Sequence, residues 1–351
     1  MNVLAIRFSA LGDVAMTIAA LKAFADRYPH DHITLLSRPV AAKMMPPAEG
    51  LQGAEGLPPN VHLRPVRLDE YKGLPGLRRL SRELLGEGYD VLVDWHDVLR
   101  SKVIRFFFSR AGRKVSVIDK GRRERRELTR PKGKQLRQLT STPQRYADAL
   151  ARAGFPIELK PYTLFPDGPA DISDLRDITG IKGTADRWVG IAPFAAHEGK
   201  IYPLSLMERV IDDPQLAECR IFLFGSGERE RKWCEQMETG RRQVTSLVGK
   251  SNLSKELRLM SNLDVMLTMD SANMHLSALA GTRTVSVWGA THPLAGFGGM
   301  QAEGSCQVQQ ATDCRPCSIF GNKPCRHGDY HCLATIDPHS IAKALRNVVE
   351  I

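Results

Sequence analysis

Residues 261–293 read SNLDVMLTMDSANMHLSALAGTRTVSVWGATHP, and few folds other than an α/β layer accommodate them. The apolar run at 265–269 is short and unbroken, which suits a strand buried on both faces. Asp270 and Ser271, both favoured as helix N-caps, follow with no spacer. Met274, Leu276, Leu279 and Ala280 then make a compact helical pattern that Gly281 closes. TVSVW at 284–288 is rich in β-formers and reads as the next strand. So short a strand-to-helix turn aims free N–H groups near Ala272 and Asn273 above the sheet edge. The helix dipole favours a negative charge there. His275 lies four residues after Ser271, on the same side of the first turn. Two readings are open: a diphosphate site with an imidazole beside it, or an ordinary capped helix with a half-buried histidine.

The same grammar recurs along the chain. Residues 2–8 predict a first strand, residues 9–13 a tight turn, and residues 14–28 a helix. Gly12 permits close backbone approach. Asp13 stands at the helix head as either a cap or a general base. Strands are expected at 33–36, 61–66 and 89–94, with Pro46, Pro47, Pro58 and Pro59 marking a loop-rich stretch between the second and third. A helix is expected at 77–86. The strand at 89–94 runs into His96 and Asp97, at the strand end where α/β sheets hold ligands; a cap with a surface histidine is the plain alternative. Residues 142–155 predict a helix with Pro143 in its first turn and Gly154 at its end. The proline-dotted stretch 156–187 looks like an interdomain connection. Beyond it, WVGIA at 188–192 leads to a loop ending in Lys200, which is either a phosphate ligand or a surface lysine. A strand at 221–224 leads to Gly225-Ser226-Gly227. That loop lacks the full spacing of a dinucleotide or Walker motif, although Glu228 or Glu230 could bind ribose hydroxyls.

A chain of 351 residues with 42% hydrophobic and 25% charged residues fits two soluble globular domains. It has no apolar run of about 18 residues and no leader-like start, so a cytoplasmic location is expected. The 49 Lys and Arg against 39 Asp and Glu give +10, which suits a polyanionic partner. Nine of those cations fall in residues 120–137. With no aromatic residue for base stacking and no nucleic-acid motif, this block favours phosphates on a glycolipid over nucleic acid. Cys314, Cys317, Cys325 and Cys332 are spaced C-x2-C-x7-C-x6-C. The spacing is open to a small structural zinc site, two local disulfides, or packed free thiols.

Three segments in order, RFSALGDVAMTIAAL (7–21), APFAAHEGKIYPL (192–204) and MDSANMHLSALAGTRTVSVWGATHP (269–293), resemble the signatures of glycosyltransferase family 9, the ADP-heptose:lipopolysaccharide heptosyltransferases and their relatives. DWHDVLRSKVIRFF and TPQRYADALARAG fall where that family has acceptor-domain helices. The cysteine cluster is similar to one in some members. The resemblance implies an α/β GT-B fold: two Rossmann-like domains facing a central cleft, with the last helix crossing back to the first. The expected division is an acceptor domain at 1–165, a linker at 166–186, a nucleotide-sugar domain with the cysteine cluster at 187–336, and the crossing helix at 337–351. Ala272 and Asn273 stand where many members have Gly and Pro, Ala19 replaces a frequent proline, and GATHP departs from the commoner form. These differences leave the identity of the sugar open.

By the same resemblance Asp13 matches the catalytic base and Lys200 a phosphate-binding lysine. Asp270, Ser271, Ala272 and His275 match the nucleotide-diphosphate turn. From the residues themselves, Glu228 is the candidate on the nucleotide side, and Ser9 and Gly12 are candidates in the substrate loop. His96, Asp97, Arg100, Arg122 and Arg123 are the acceptor-side candidates. The expected activity is inverting transfer of a sugar, heptose from ADP-heptose, to a lipid A inner-core glycolipid at the inner face of the membrane. The chain has no DxD motif, so no metal cofactor is expected for catalysis. The alternatives are a non-catalytic nucleotide-sugar binder of this fold, a member using another sugar nucleotide, or an RNA-binding protein.

Overall fold

The computed structural model describes residues 1–45 and 57–350; Pro46 and Pro47 lie outside them. The chain forms two compact units, one of residues 1–122 and 140–162, the other of residues 123–139 and 163–351.

The first unit is built on a parallel sheet of β1 (Asn2–Ile6), β2 (His32–Ser37), β3 (Val61–Pro65), β4 (Val91–Asp94) and β5 (Lys114–Val117), in the order β3-β2-β1-β4-β5. The chain leaves β1 toward one edge and resumes at β4 on its other side. The loops after β1 and β4 therefore diverge at the point where a doubly wound sheet holds ligands. Leu4, Ile6, Leu36, Leu92, Ile104 and Phe108 share one buried cluster on this sheet. The helix Thr142–Ala153 follows the sequence expectation closely. Ser141 caps it by accepting from Gln144 N, and Gly154 at φ 101° ends it in the left-handed region.

The second unit repeats the plan with β6 (Arg187–Ala192), β7 (Cys219–Leu223), β8 (Val244–Ser246), β9 (Val265–Met269), β10 (Thr284–Trp288) and β11 (Cys306–Gln309), all parallel, in the order β11-β10-β9-β6-β7-β8. Here the switch point lies between β6 and β9. The loop carrying Lys200 follows β6, and the turn at Asp270 follows β9. Two strands escape the sequence pattern for the same reason. β5 and β11 are short edge strands, and β11 buries no residue fully. An edge strand lacks the apolar run that marks a central one.

Three expected boundaries are corrected. Residues 123–139, read as part of the first domain, belong to the second unit. There Leu128 and Leu139 pack with Ala295, and Arg125 lies 4.8 Å from the centroid of the Phe297 ring. Residues 166–186, read as a linker, carry two short helical turns, Ser173–Leu175 and Arg176–Thr179, and also belong to the second unit. The last helix, Pro338–Glu350, was expected to cross back to the first domain. Instead it buries Ile341, Ala342, Leu345 and Val348 in the second unit's own core, with β9 and β10. Its apolar stripe is as the sequence indicates; periodicity reports that a face is buried, not what covers it.

Candidate active-site elements

In the first unit the turn after β1 is organised by a buried arginine. Arg7 Nη2 lies 2.5 Å from Asp13 Oδ2, and Arg7 Nη1 donates to the Trp95 carbonyl at 2.9 Å. Ala10 N–H donates to the same Asp13 oxygen at 3.2 Å, and the Tyr146 hydroxyl donates to the Asp13 carbonyl at 3.2 Å. One carboxylate oxygen is thus pinned, while Oδ1 carries no hydrogen bond among the described residues. The side chain is 24% exposed. A carboxylate held by one oxygen and open at the other suits a group that must take a proton in a fixed direction. Ser9 and Gly12 lie in the same turn, with Gly12 buried.

The loop after β4 is held by Asp94, which sequence reasoning passed over. It is fully buried and accepts from His96 N, Asp97 N and the Ser101 hydroxyl at 2.9, 2.8 and 2.9 Å. A strand-terminal Asp followed seven residues later by a helix-entry Ser was the available signal. Phe8 N–H faces His96 Nδ1 at 3.4 Å, so the ring proton belongs on Nε2. Burial, with the nearby Arg7 and Lys120 charges, pushes the His96 pKa down to about 3. His96 is therefore a neutral donor at physiological pH rather than an acid–base group. Asp97, at φ 45°, is committed to Arg122 at 2.6 Å, Arg105 at 3.6 Å and Lys102 at 3.8 Å. Arg122 thus joins this loop. Arg123 instead points to Glu127 at 3.2 Å and belongs to the second unit. Arg100 is exposed on the helix Leu99–Arg110.

The lowered His96 pKa has a definite sign. The unfolded chain takes up a proton near pH 6.5 while the folded chain does not. Stability contributed by the neutral ring is thus complete above about pH 6.5 and is lost progressively toward pH 3. His96→Gln is expected to flatten the fall in melting temperature between pH 6.5 and 4 relative to the parent. An unchanged slope would show that His96 titrates normally.

In the second unit, Lys200 Nζ lies 2.9 Å from Asp270 Oδ2, with side chains only 14% and 5% exposed. The approach lies off the hydrogen-bond direction, so Oδ2 still lacks a hydrogen-bond donor. It is not alone. Thr268 Oγ1, Ser271 Oγ and Thr291 Oγ1 are also buried without a hydrogen-bond partner among the described residues. Leaving such groups unpaired costs about 1–3 kcal/mol each. They concentrate at the carboxyl ends of β9 and β10, beside a lysine, and buried polar groups without partners call for an explanation. Ser271 and Ala272 open the helix Ala272–Leu279. His275 is buried in that helix, its ring close enough to Gly299 that a Cβ there would fall 2.9 Å from Nδ1. Glu228 starts the helix Glu228–Glu238 after β7 and is tied to Arg231 at 2.8 Å. Its neighbour Glu230 closes the glycine loop by accepting from Ser226 N at 2.7 Å.

The cysteine-bearing segment supports this edge. Cys317 N and Ser318 N both donate to the Ala290 carbonyl, at 3.1 and 3.2 Å. Gly321 packs on the Lys200 stem so tightly that a Cβ would fall 2.6 Å from Lys200 Cγ. Arg315, almost fully buried, donates to the carbonyls of Gly289, Thr291 and Gln310 at 2.5, 3.0 and 2.7 Å and to Gln309 Oε1 at 3.1 Å. It thereby fixes the loop that presents Thr291. All seven cysteines are free thiols, and no three or more His, Cys, Asp or Glu among the described residues converge to hold a metal ion. Burial above all, with neighbouring cysteines adding to it, pushes the Cys332 pKa up to about 11 against the opposing pull of Arg315. Arg315→Met, which removes all four bonds, is expected to cost about 2–4 kcal/mol in denaturant unfolding of the second unit. Arg315→Lys should recover little of this, because an ammonium cannot span the fork. A loss below 0.5 kcal/mol, a surface-like effect, would contradict the structural role.

No helix among the described residues is long and apolar enough to cross a membrane. Comparison with known proteins places these elements in context. The chain resembles a solved glycosyl transferase family 9 protein from Veillonella parvula, with TM-score 0.72, 17% identity, and 99% and 97% of the two chains covered. It resembles the ADP-heptose LPS heptosyltransferase II of E. coli with TM-score 0.69, 17% identity, and 100% and 99% covered. An E. coli heptosyltransferase solved with ADP gives 0.66, 15%, and 99% and 100%. These likenesses establish the two-sheet α/β architecture of GT-B enzymes. In sequence, a lipooligosaccharide heptosyltransferase 2 from Campylobacter jejuni subsp. jejuni is 25% identical over 134 residues, 37% of this chain and 41% of that protein. The chain thus spans under half the length of that curated relative. The family description "Glycosyltransferase family 9 (heptosyltransferase)" matches residues 77–324, most of the chain, and the chain belongs to that family.

Proposed function

We propose that the protein is an inverting glycosyltransferase that moves a sugar, heptose from ADP-heptose, onto a hydroxyl of a lipopolysaccharide inner-core glycolipid at the membrane face. The observation that carries this reading is the set of buried hydroxyls without partners at Thr268, Ser271 and Thr291, with the Lys200–Asp270 pair beside them. A nucleoside diphosphate offers acceptor oxygens to the hydroxyls and to the N–H groups opening the helix at Ala272. It also offers negative charge to Lys200 and to the helix dipole.

Asp13 Oδ1 takes the proton of the acceptor hydroxyl as that oxygen forms a bond to the anomeric carbon. The bond from that carbon to the β-phosphate oxygen breaks, and its electron pair leaves with the nucleoside diphosphate. Lys200, the turn N–H groups and His275 stabilise the charge growing on the leaving group. Lys200 supplies the positive charge that a divalent cation gives in DxD enzymes, so transfer should proceed in the presence of EDTA. His96 donates from Nε2 to the acceptor, and Arg100 and Arg122 attract its phosphates. We place no metal in the catalytic step.

A melting-temperature panel of nucleoside diphosphates and their sugars tests the donor. ADP and an ADP-sugar should stabilise the protein more than UDP or GDP. If no nucleoside diphosphate shifts the transition, the reading fails.

A further inference from the structure

The first unit holds a cavity of about 900 Å³ that the transfer chemistry does not use. Its walls come from segments following β2, β3 and β4, the carboxyl edge of the sheet that also carries Asp13 and His96. Val66, Leu68, Leu77 and Val103 make an apolar interior. Leu74 and Leu99 border it and are 63% and 78% exposed, so they extend the apolar wall to its mouth. The charged lining is mainly basic. Arg38, Arg67, Lys72 and Arg100 face a single carboxylate, Asp69. Of the four, only Arg67 has an ion-pair partner among the described residues, Glu70 at 3.8 Å. An apolar hollow bordered by four cations, three of them without an ion-pair partner among the described residues, complements a molecule with a hydrocarbon tail and an anionic head. It does not suit a free sugar phosphate, which would leave the leucines wet, or a neutral lipid, which would leave the cations unmatched.

We infer that this cavity binds a fatty acyl chain of the glycolipid acceptor, with the four cations holding the phosphate above it. This deepens the proposed function and rests on it: the acceptor is recognised by its acyl end as well as by the hydroxyl presented to Asp13. Anchoring the tail at the sheet edge that carries the base would convert lipid affinity into alignment of the reacting oxygen.

The test uses the full chain and dodecyl phosphate, kept below its micelle concentration, with butyl phosphate as the short-chain control. Calorimetric titration should show dodecyl phosphate binding at least about tenfold tighter than butyl phosphate, since each buried methylene adds roughly 0.8 kcal/mol. Leu74→Asp/Leu99→Asp, changed at exposed positions that leave the core intact, should weaken dodecyl phosphate at least about tenfold and leave ADP binding unchanged. Dodecyl phosphate should also inhibit transfer competitively against the glycolipid. Equal affinity for the two alkyl phosphates, or an unaffected double variant, would overturn the cavity's role while leaving a positive ADP result standing. Tight dodecyl phosphate binding without competition against the acceptor would overturn the assignment of the tail to the acceptor. Absence of any ADP binding would instead count against the donor site.

Discussion

Asp13→Asn is expected to lower turnover at least about a hundredfold while nucleoside diphosphate binding stays within about twofold of the parent. Asparagine keeps an oxygen for Arg7 and Ala10, so the turn after β1 should retain its course. What disappears is the basic oxygen Oδ1. The Arg7 guanidinium also loses its counter-ion in a buried setting, so some loss of melting temperature is expected. Kinetics and stability must therefore be measured on the same preparation. A folded variant with near-normal turnover would remove Asp13 from the chemistry.

Lys200→Ala should show the complementary signature. Donor affinity is expected to fall by about a hundredfold, and transfer to slow in addition, because the lysine would serve both ground-state phosphate and the departing diphosphate. The structure adds a consequence that the sequence does not show. Asp270 is almost completely buried with Lys200 as its close cation, so the alanine variant strands a buried carboxylate. A second change, Asp270→Asn in the Lys200→Ala background, should recover melting temperature without recovering transfer. Recovery of both would mean that Lys200 acts only by neutralising Asp270. Unchanged kinetics in the single variant would exclude it as a phosphate ligand.

The local structure around both candidate sites was legible in sequence where local chemistry decides it. The turn at Asp270 could be read because a run of five apolar residues meets two capping residues with no spacer. The helix Thr142–Ala153 could be read because a proline opens it and a glycine closes it. What escaped is tertiary. Nothing around Arg7 announces that it will be buried against Asp13, and nothing around Arg315 reveals that its fork collects four oxygens from the loops flanking β10 and β11. The unpaired hydroxyls of Thr268 and Thr291 are likewise invisible one residue at a time, since hydrogen-bond satisfaction depends on neighbours distant in sequence. Asp97 has tertiary partners that its own segment does not announce. Its position at a strand end suggested a ligand, and the structure sets three cations around it. The last helix carried a clear apolar stripe, but periodicity could not name the core that Ile341 and Leu345 enter.

The most direct measurement is release of nucleoside diphosphate from the sugar donor, followed with and without an inner-core glycolipid and in excess EDTA. Release should require the glycolipid, persist in EDTA, and leave a new glycosidic bond of inverted configuration in the product. Release that ignores the glycolipid, or tight donor binding with no product from any inner-core acceptor, would contradict a transferase built from Asp13 and Lys200.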